Sequence, residues 1–188
     1  MTTPDKPDTR NRLLAAAADL SYREGVSIGV EALCKAAGVS KRSMYQLFAS
    51  KDELLAASLE ARSTEYATYL LPSEGAAGTP RDRILHVFTQ VEASAGRPEY
   101  MGCPYLAVQV ELKSQEHPAS KVGHRVKENL REFFRAEAER GGAEDPELLS
   151  RQLVLVFDGA SARAGIGADD LKGLLNPTIS ALLNAAGM

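Results

Sequence analysis

The stretch Ala36-Ala37-Gly38-Val39-Ser40-Lys41-Arg42-Ser43-Met44-Tyr45-Gln46-Leu47-Phe48 decides the fold. Small residues at positions 36 and 37 let two helices approach closely. Gly38 accepts the left-handed backbone that ends a helix. Val39 can anchor the turn in a core, and Ser40 carries a side chain suited to capping the next helix. Two short helices joined by such a turn make a helix-turn-helix candidate. The second of them turns Met44, Leu47 and Phe48 inward, which leaves Lys41, Arg42, Ser43, Tyr45 and Gln46 pointing outward from its first turns. N-terminal side chains of a recognition helix are those that reach the major groove. Arg and Lys can donate to guanine, Gln can pair with adenine, and a Tyr hydroxyl suits a phosphate. Lys51, at the start of the following helix, adds a cation where a helix N-terminus already favours an anion.

Outward from that stretch the chain reads as helices. Asp8 or Thr9 caps a helix beginning near Arg10, with Leu13, Leu14, Ala17, Leu20 and Ser21 on its packed face and Gly25 as its stop. Residues 30–37 carry Val30, Leu33, Cys34 and Ala37 on one side. Ser50 and Glu53 form a capping box that opens a fourth helix through Leu54, Leu55, Ser58, Leu59 and Arg62 toward Leu70. Residues 72–80 are a Gly/Ala/Ser/Pro linker. Thr79-Pro80 then opens a helix whose face is Ile84, Leu85, Phe88 and Val91. Leu106, Val108, Val110 and Leu112 alternate with period two and read as a strand by periodicity, yet such a strand would have no partner. Pro118 opens a long helix to Arg140, with Val122, Val126, Leu130, Phe133 and Phe134 spaced for burial. Pro146 opens another, and residues 169–186 are helical in pattern with a break expected near Asn176, ahead of Pro177. Residues 1–8 read as a loose tail.

Composition bounds the function classes. The 188 residues hold 22 Lys+Arg against 25 Asp+Glu, a net charge of −3, which excludes indiscriminate coating of nucleic acid. The charge is uneven: residues 1–51 hold eight basic and five acidic side chains, +3, and the other 137 residues carry −6. A hydrophobic content of 44% supports a real core. No run of apolar residues is long enough for a membrane span, and the polar first twelve residues contain no apolar segment of a secretory signal. Cys34 and Cys103 form no metal or disulfide framework, which fits a reducing cytoplasm, so a cytoplasmic location with no membrane partner is expected.

Residues 30–54, from Val30-Glu31-Ala32-Leu33-Cys34 through the turn to Ser50-Lys51-Asp52-Glu53-Leu54, resemble the N-terminal domain of TetR/AcrR-family transcriptional regulators. Gly102-Cys103-Pro104-Tyr105, Glu111, His117-Pro118, Asp145-Pro146 and Asp158-Gly159-Ala160 resemble a subgroup motif. The resemblance implies an all-α fold, with a three-helix helix-turn-helix DNA-binding domain over residues 1–51. A C-terminal helical bundle for ligand binding and dimerisation follows over residues 52–188. It makes residues 106–112 helical rather than a strand. It further implies a homodimer, joined through its last two helices. That dimer would be released from a near-palindromic double-stranded DNA operator when a small-molecule effector moves the fourth helix. Lys41, Arg42, Ser43, Tyr45 and Lys51 become the expected DNA contacts. One departure stands out: Ile28 and Gly29 occupy positions where the family often has a phosphate-binding Thr or Ser, and Ser27 is the nearest hydroxyl.

In the C-terminal part the signals are weaker. Tyr66, Tyr69, Phe88, Tyr105, Phe133, Phe134 and Phe157 fit either a core or a pocket lining. Cys103 has a structural and a reactive reading. Glu111, inside an apolar stretch, can pair within the bundle or meet a ligand. The candidate effector set is therefore Tyr66, Phe88, Cys103, Tyr105, Glu111, Phe134 and Phe157. The candidate dimer face is Leu149, Leu153, Val156, Phe157, Ala160, Leu182 and Leu183. His86, His117 and His124 show no ligand spacing, so no metal and no cofactor are expected, and no cysteine–histidine pairing suggests an enzyme. The competing reading is a small-molecule binding or cysteine-based protein whose helix-turn-helix no longer acts on DNA.

Overall fold

A computed structural model describes residues 8–73 and 75–188. Helix is the only regular element among them, in the order α1 (Thr9–Glu24), α2 (Val30–Ala37), α3 (Lys41–Leu47), α4 (Lys51–Leu70), α5 (Pro80–Ala95), α6 (Pro104–Leu112), α7 (Pro118–Arg140), α8 (Pro146–Gly165) and α9 (Leu175–Ala185). Capping explains most boundaries. Asp8 accepts from the Asn11 N–H, Ser40 from Ser43, and Asp145 from Leu148. Thr79 and Asp82 form a reciprocal capping box with Pro80 behind it. At α4 the Ser50 hydroxyl accepts from the Glu53 N–H at 3.0 Å, and the Glu53 carboxylate reaches one residue further back, to the Ala49 N–H at 2.7 Å. The tail reading of residues 1–8 lies, Asp8 apart, outside the described residues.

One expectation holds and two shift. Residues 104–112 are helical, as the resemblance implies, and the period-two pattern of Leu106 to Leu112 belongs to a short apolar helix. Pro177 breaks nothing. It is the third residue of α9, where an amide hydrogen has no partner in any helix, and the helix simply starts there. Leu47 stays 42% exposed instead of joining Met44 and Phe48 inside, because Leu47 is the last residue of α3 and the chain turns extended at Phe48.

The chain forms two compact units. The first comprises Met1–Arg62 and Ala107–Gly123. Its core is Leu13, Leu14, Ala17, Leu33, Cys34, Ala37, Met44, Phe48, Leu54 and Leu55. The second comprises Ser63–Leu106 and His124–Met188. Its core is Ile84, Val87, Phe88, Val91, Phe134, Ala138, Leu149, Leu153, Phe157, Ile179 and Leu183. A boundary at residue 51 thus differs from the compact division, which carries α4 to Arg62 in the first unit and adds the end of α6 and the start of α7.

Candidate nucleic-acid interface and effector region

The helix-turn-helix is held from three sides. Gly38 takes φ 64°, ψ 41°, the left-handed cap that ends α2. Arg12 of α1 donates from Nη1 to the carbonyls of Ala37 (3.1 Å) and Gly38 (3.2 Å), which ties the turn to the first helix. Met44 is fully buried and pins α3 from below, a burial that stabilises by about 1.5–3 kcal/mol. With its one buried residue fixed, the rest of α3 faces out. Arg42 and Gln46 are exposed, and Tyr45 is 53% exposed, a large ring left in solvent. Ser43 is half-buried, and its hydroxyl lies 2.8 Å from that of Ser40.

Two of the expected cations are already paired. Lys41 donates to Glu31 of α2 at 2.6 Å. That hydrogen bond and charge hold the Glu31 carboxyl below the usual carboxylate range and raise the Lys41 ammonium. Both side chains remain in solvent, so a phosphate can compete for Lys41. Lys51 is bound more deeply. Its ammonium donates to the carbonyls of Val26 (2.9 Å) and Ile28 (3.2 Å) in the α1–α2 turn, leaving one of three N–H groups for anything else. Position alone suggested a phosphate contact; the geometry gives Lys51 a structural task first.

Glu111 likewise has a structural task. Its carboxylate accepts from the Val26 N–H at 2.8 and 2.9 Å and from the Ser27 N–H at 3.2 Å. Gly25, at φ 87°, allows this approach: a Cβ there would stand 2.8 Å from Glu111 Oε2. His117 completes the local set, accepting the Ala119 N–H on Nδ1 at 3.1 Å with Nε2 3.3 Å from Asp52.

In the second unit the effector candidates form separate clusters. Tyr66 donates its hydroxyl to Cys103 Sγ at 3.3 Å and stacks edge-on to Tyr105, with ring centroids 5.0 Å apart. Burial, then the neighbouring thiol, raises the Tyr66 hydroxyl well above its ordinary pKa. Phe88 and Phe134 stack at 5.7 Å, both fully buried. Phe157 lies under the Lys127 ammonium, 4.2 Å from the ring centroid, and Lys127 pairs with Asp158. An open groove of about 470 Å³ lies elsewhere, lined by Thr68, Tyr69, Leu71, Pro72, Ser73, Ala76, Ala77, Asp82, Arg83, His86 and Gln90. None of the seven effector candidates lines it, and no periodic signal marks His86 or Gln90, whose spacing matches any helix face.

The dimer candidates are mostly internal. Leu149, Leu153, Phe157, Ala160 and Leu183 are buried within their own chain, and Val156 and Leu182 are half-buried. The solvent face of α8 instead carries Leu148 (47% exposed), Leu155 (73%), Gly159, Ala162 and, just beyond the helix, Ile166 (80%), interspersed with the exposed charges of Glu147, Arg151 and Arg163. Apolar residues lie on both sides of α8, and the regularly spaced set Leu149, Leu153, Phe157 and Ala160 serves the core.

Residues 13–58 match the family model of bacterial regulatory proteins of the tetR family. A TetR-type transcriptional regulator from Streptomyces avermitilis is 65% identical over 97% of this chain and all of its own, with a TM-score of 0.96. The chain belongs to the TetR family. It is a DNA-binding transcriptional regulator and not an enzyme. Two more distant TetR-family folds agree in architecture. Escherichia coli NemR in its reduced form is 24% identical over 95% of this chain and 96% of its own, with a TM-score of 0.79. A cysteine mutant of CifR complexed with a 26-bp operator is 20% identical over 97% and 99%, with a TM-score of 0.80. No curated protein matches. No helix among the described residues is long and apolar enough to cross a membrane.

Proposed function

We propose that this TetR-family chain is a homodimeric repressor that leaves a near-palindromic operator when a small-molecule effector binds its second unit. The observation that carries the DNA-facing half is α3 itself: one buried anchor, Met44, and an exposed row of Arg42, Tyr45 and Gln46 on its first turns. Arg42 offers a fork to guanine, Gln46 an amide to adenine, and Tyr45 a hydroxyl to phosphate. Lys41 joins them when a phosphate displaces Glu31, and Ser43 supports the cap rather than leading the contact. The test is a gel-shift titration with a duplex that the wild-type protein enriches from a random library. Arg42→Ala and Tyr45→Ala should each weaken binding about tenfold or more while leaving the melting temperature within a few degrees. Unchanged affinity in both variants removes α3 from the interface.

Dimerisation rests on the exposed stripe Leu148, Leu155, Gly159, Ala162 and Ile166 together with α9. That helix carries no charged side chain over its eleven residues and leaves Pro177, Thr178, Ala181 and Ala185 in solvent. The charge-free exposed surface of α9, in a chain that is 25% charged, fits a second copy of itself; Arg151, exposed between Leu148 and Leu155, is the charge on the α8 side of that face. Two recognition helices so paired would read half-sites about 34–36 Å apart, or a multiple of that. Leu155→Arg should give a monomer by light scattering at concentrations where the wild type is a dimer. A variant dimer of undiminished affinity would move the interface off α8.

The effector is proposed to act in the second unit. The Tyr66–Cys103–Tyr105 cluster at the start of α6 and the groove beside His86 and Gln90 are the two places where a ligand would disturb the packing. The exposed groove supports entry, and the cluster supports transmission, because α6 continues from it into the first unit.

A further inference from the structure

The α1–α2 turn is an element of five residues, Gly25 to Gly29, that no regular structure supports. It carries the chain into α2 and hence sets where the recognition helix stands. Its polar backbone is satisfied from outside on both sides. Lys51 of α4 takes the carbonyls of Val26 and Ile28. Glu111, 85 residues away in sequence from Val26, takes the N–H groups of Val26 and Ser27 with both carboxylate oxygens. A carboxylate seated on two backbone N–H groups is a strong, directional contact. Gly25 has the left-handed φ of 87°, which L side chains rarely adopt, and a Cβ there would displace the Glu111 carboxylate from the turn. Nothing about DNA chemistry needs an acid at the end of α6.

We infer that Glu111 is a positioning residue for operator recognition: it is the contact by which α6 fixes the α1–α2 turn and so the setting of α2 and α3. This rests on the DNA-binding reading above. Glu111 touches no base or phosphate. It acts by removing freedom from the turn, so that the two helices meet the groove in a single arrangement. Specific binding needs that arrangement, whereas loose electrostatic binding to any duplex does not. The effect of losing Glu111 should therefore fall on specific binding alone. The first turn of α6, with Tyr105 and Cys103 buried beside Tyr66, belongs to the second unit, and Glu111 lies six residues further along the same helix, about 9 Å.

The experiment compares Glu111→Ala and the isosteric Glu111→Gln with wild type in the full-length chain. Three measurements are made: amide hydrogen exchange at Val26 and Ser27, affinity for the library-selected duplex, and affinity for a shuffled duplex of equal length across a salt series. The expected result is faster exchange at both amides and about tenfold or greater loss on the selected duplex in Glu111→Ala. The shuffled duplex should bind unchanged with an unchanged salt slope. Glu111→Gln, which keeps one acceptor oxygen, should fall between and guards against a misfolded alanine variant. Fast exchange with selected-duplex affinity within twofold of wild type overturns the inference, as does equal loss on both duplexes or unaltered exchange. If the wild type enriches no duplex, the DNA-binding reading falls and takes this inference with it. If wild type selects and the variants match it, only the inference falls.

Discussion

The two compact units spend their charges differently. In the first, the pairs are at the surface: Lys41 is 53% exposed and Glu31 82%. In the second, the central pair is internal: Arg83 and Glu137 are 12% and 5% exposed, at 2.8 Å, and Arg140 donates to the other Glu137 oxygen at 2.7 Å. An exposed pair contributes little and exchanges readily with an incoming phosphate. A buried one cannot give up a partner without stranding a charge. The Lys41–Glu31 pair of the head is thus exchangeable, while the Arg83–Glu137 pair of the body fixes α5 to α7.

The largest expected effect separates the two units on stability. Glu137→Gln leaves Arg83 buried without its counter-charge and should cost about 3–5 kcal/mol in urea unfolding. A loss below about 1 kcal/mol would mean that the internal pair behaves like a surface one and would erase the contrast. The next effect falls on binding. Arg42→Ala should lose about 1–3 kcal/mol of affinity for the selected duplex with unfolding unchanged. Appreciable destabilisation would show that the outer face of α3 also serves the fold.

Alkali probes the body in another way. The Tyr66 hydroxyl titrates above its ordinary value because burial, and then Cys103, disfavours the phenolate. Below the ordinary pKa of about 10 both folded and unfolded states hold the proton. Above it the unfolded state releases the proton first, so stability is lost as pH rises toward the folded value. Tyr66→Phe should flatten that alkaline decline; an identical slope in both proteins would assign it to other groups. The smallest effect belongs to the surface pair. Glu31→Gln should leave the melting temperature unchanged and tighten the shuffled duplex a few-fold at low salt, since Lys41 is then free for phosphate. No gain at low salt would place Lys41 away from the duplex.

What the sequence made legible follows the same division. Around Gly38 each residue type has one job, so the turn, the caps at Ser40 and Ser50 and the exposed row on α3 could be read from the chain itself. Lys51 and Glu111 could not, because both act on backbone atoms far away in sequence, and a backbone carbonyl or N–H has no residue signature. In α8, Leu149, Leu153 and Leu155 look alike, and only packing against the rest of the body decides that Leu155 is left in solvent. Leu106 to Leu112 misled by pattern, since a short apolar helix and a half-buried strand share an alternating string. The second unit was least legible: aromatic side chains signal a core as well as a pocket, and Phe88, Phe134 and Phe157 are buried.

The chain passes between its two units within α4, within α6 and again at the start of α7. That matters to anyone who wishes to exchange heads between regulators of this kind. A chimera cut after the recognition helix, or even at Arg62, would leave residues 107–123 behind on the recipient body, and with them the carboxylate and imidazole that grip the transplanted turn and α4. A graft meant to keep its specificity has to carry both pieces of chain.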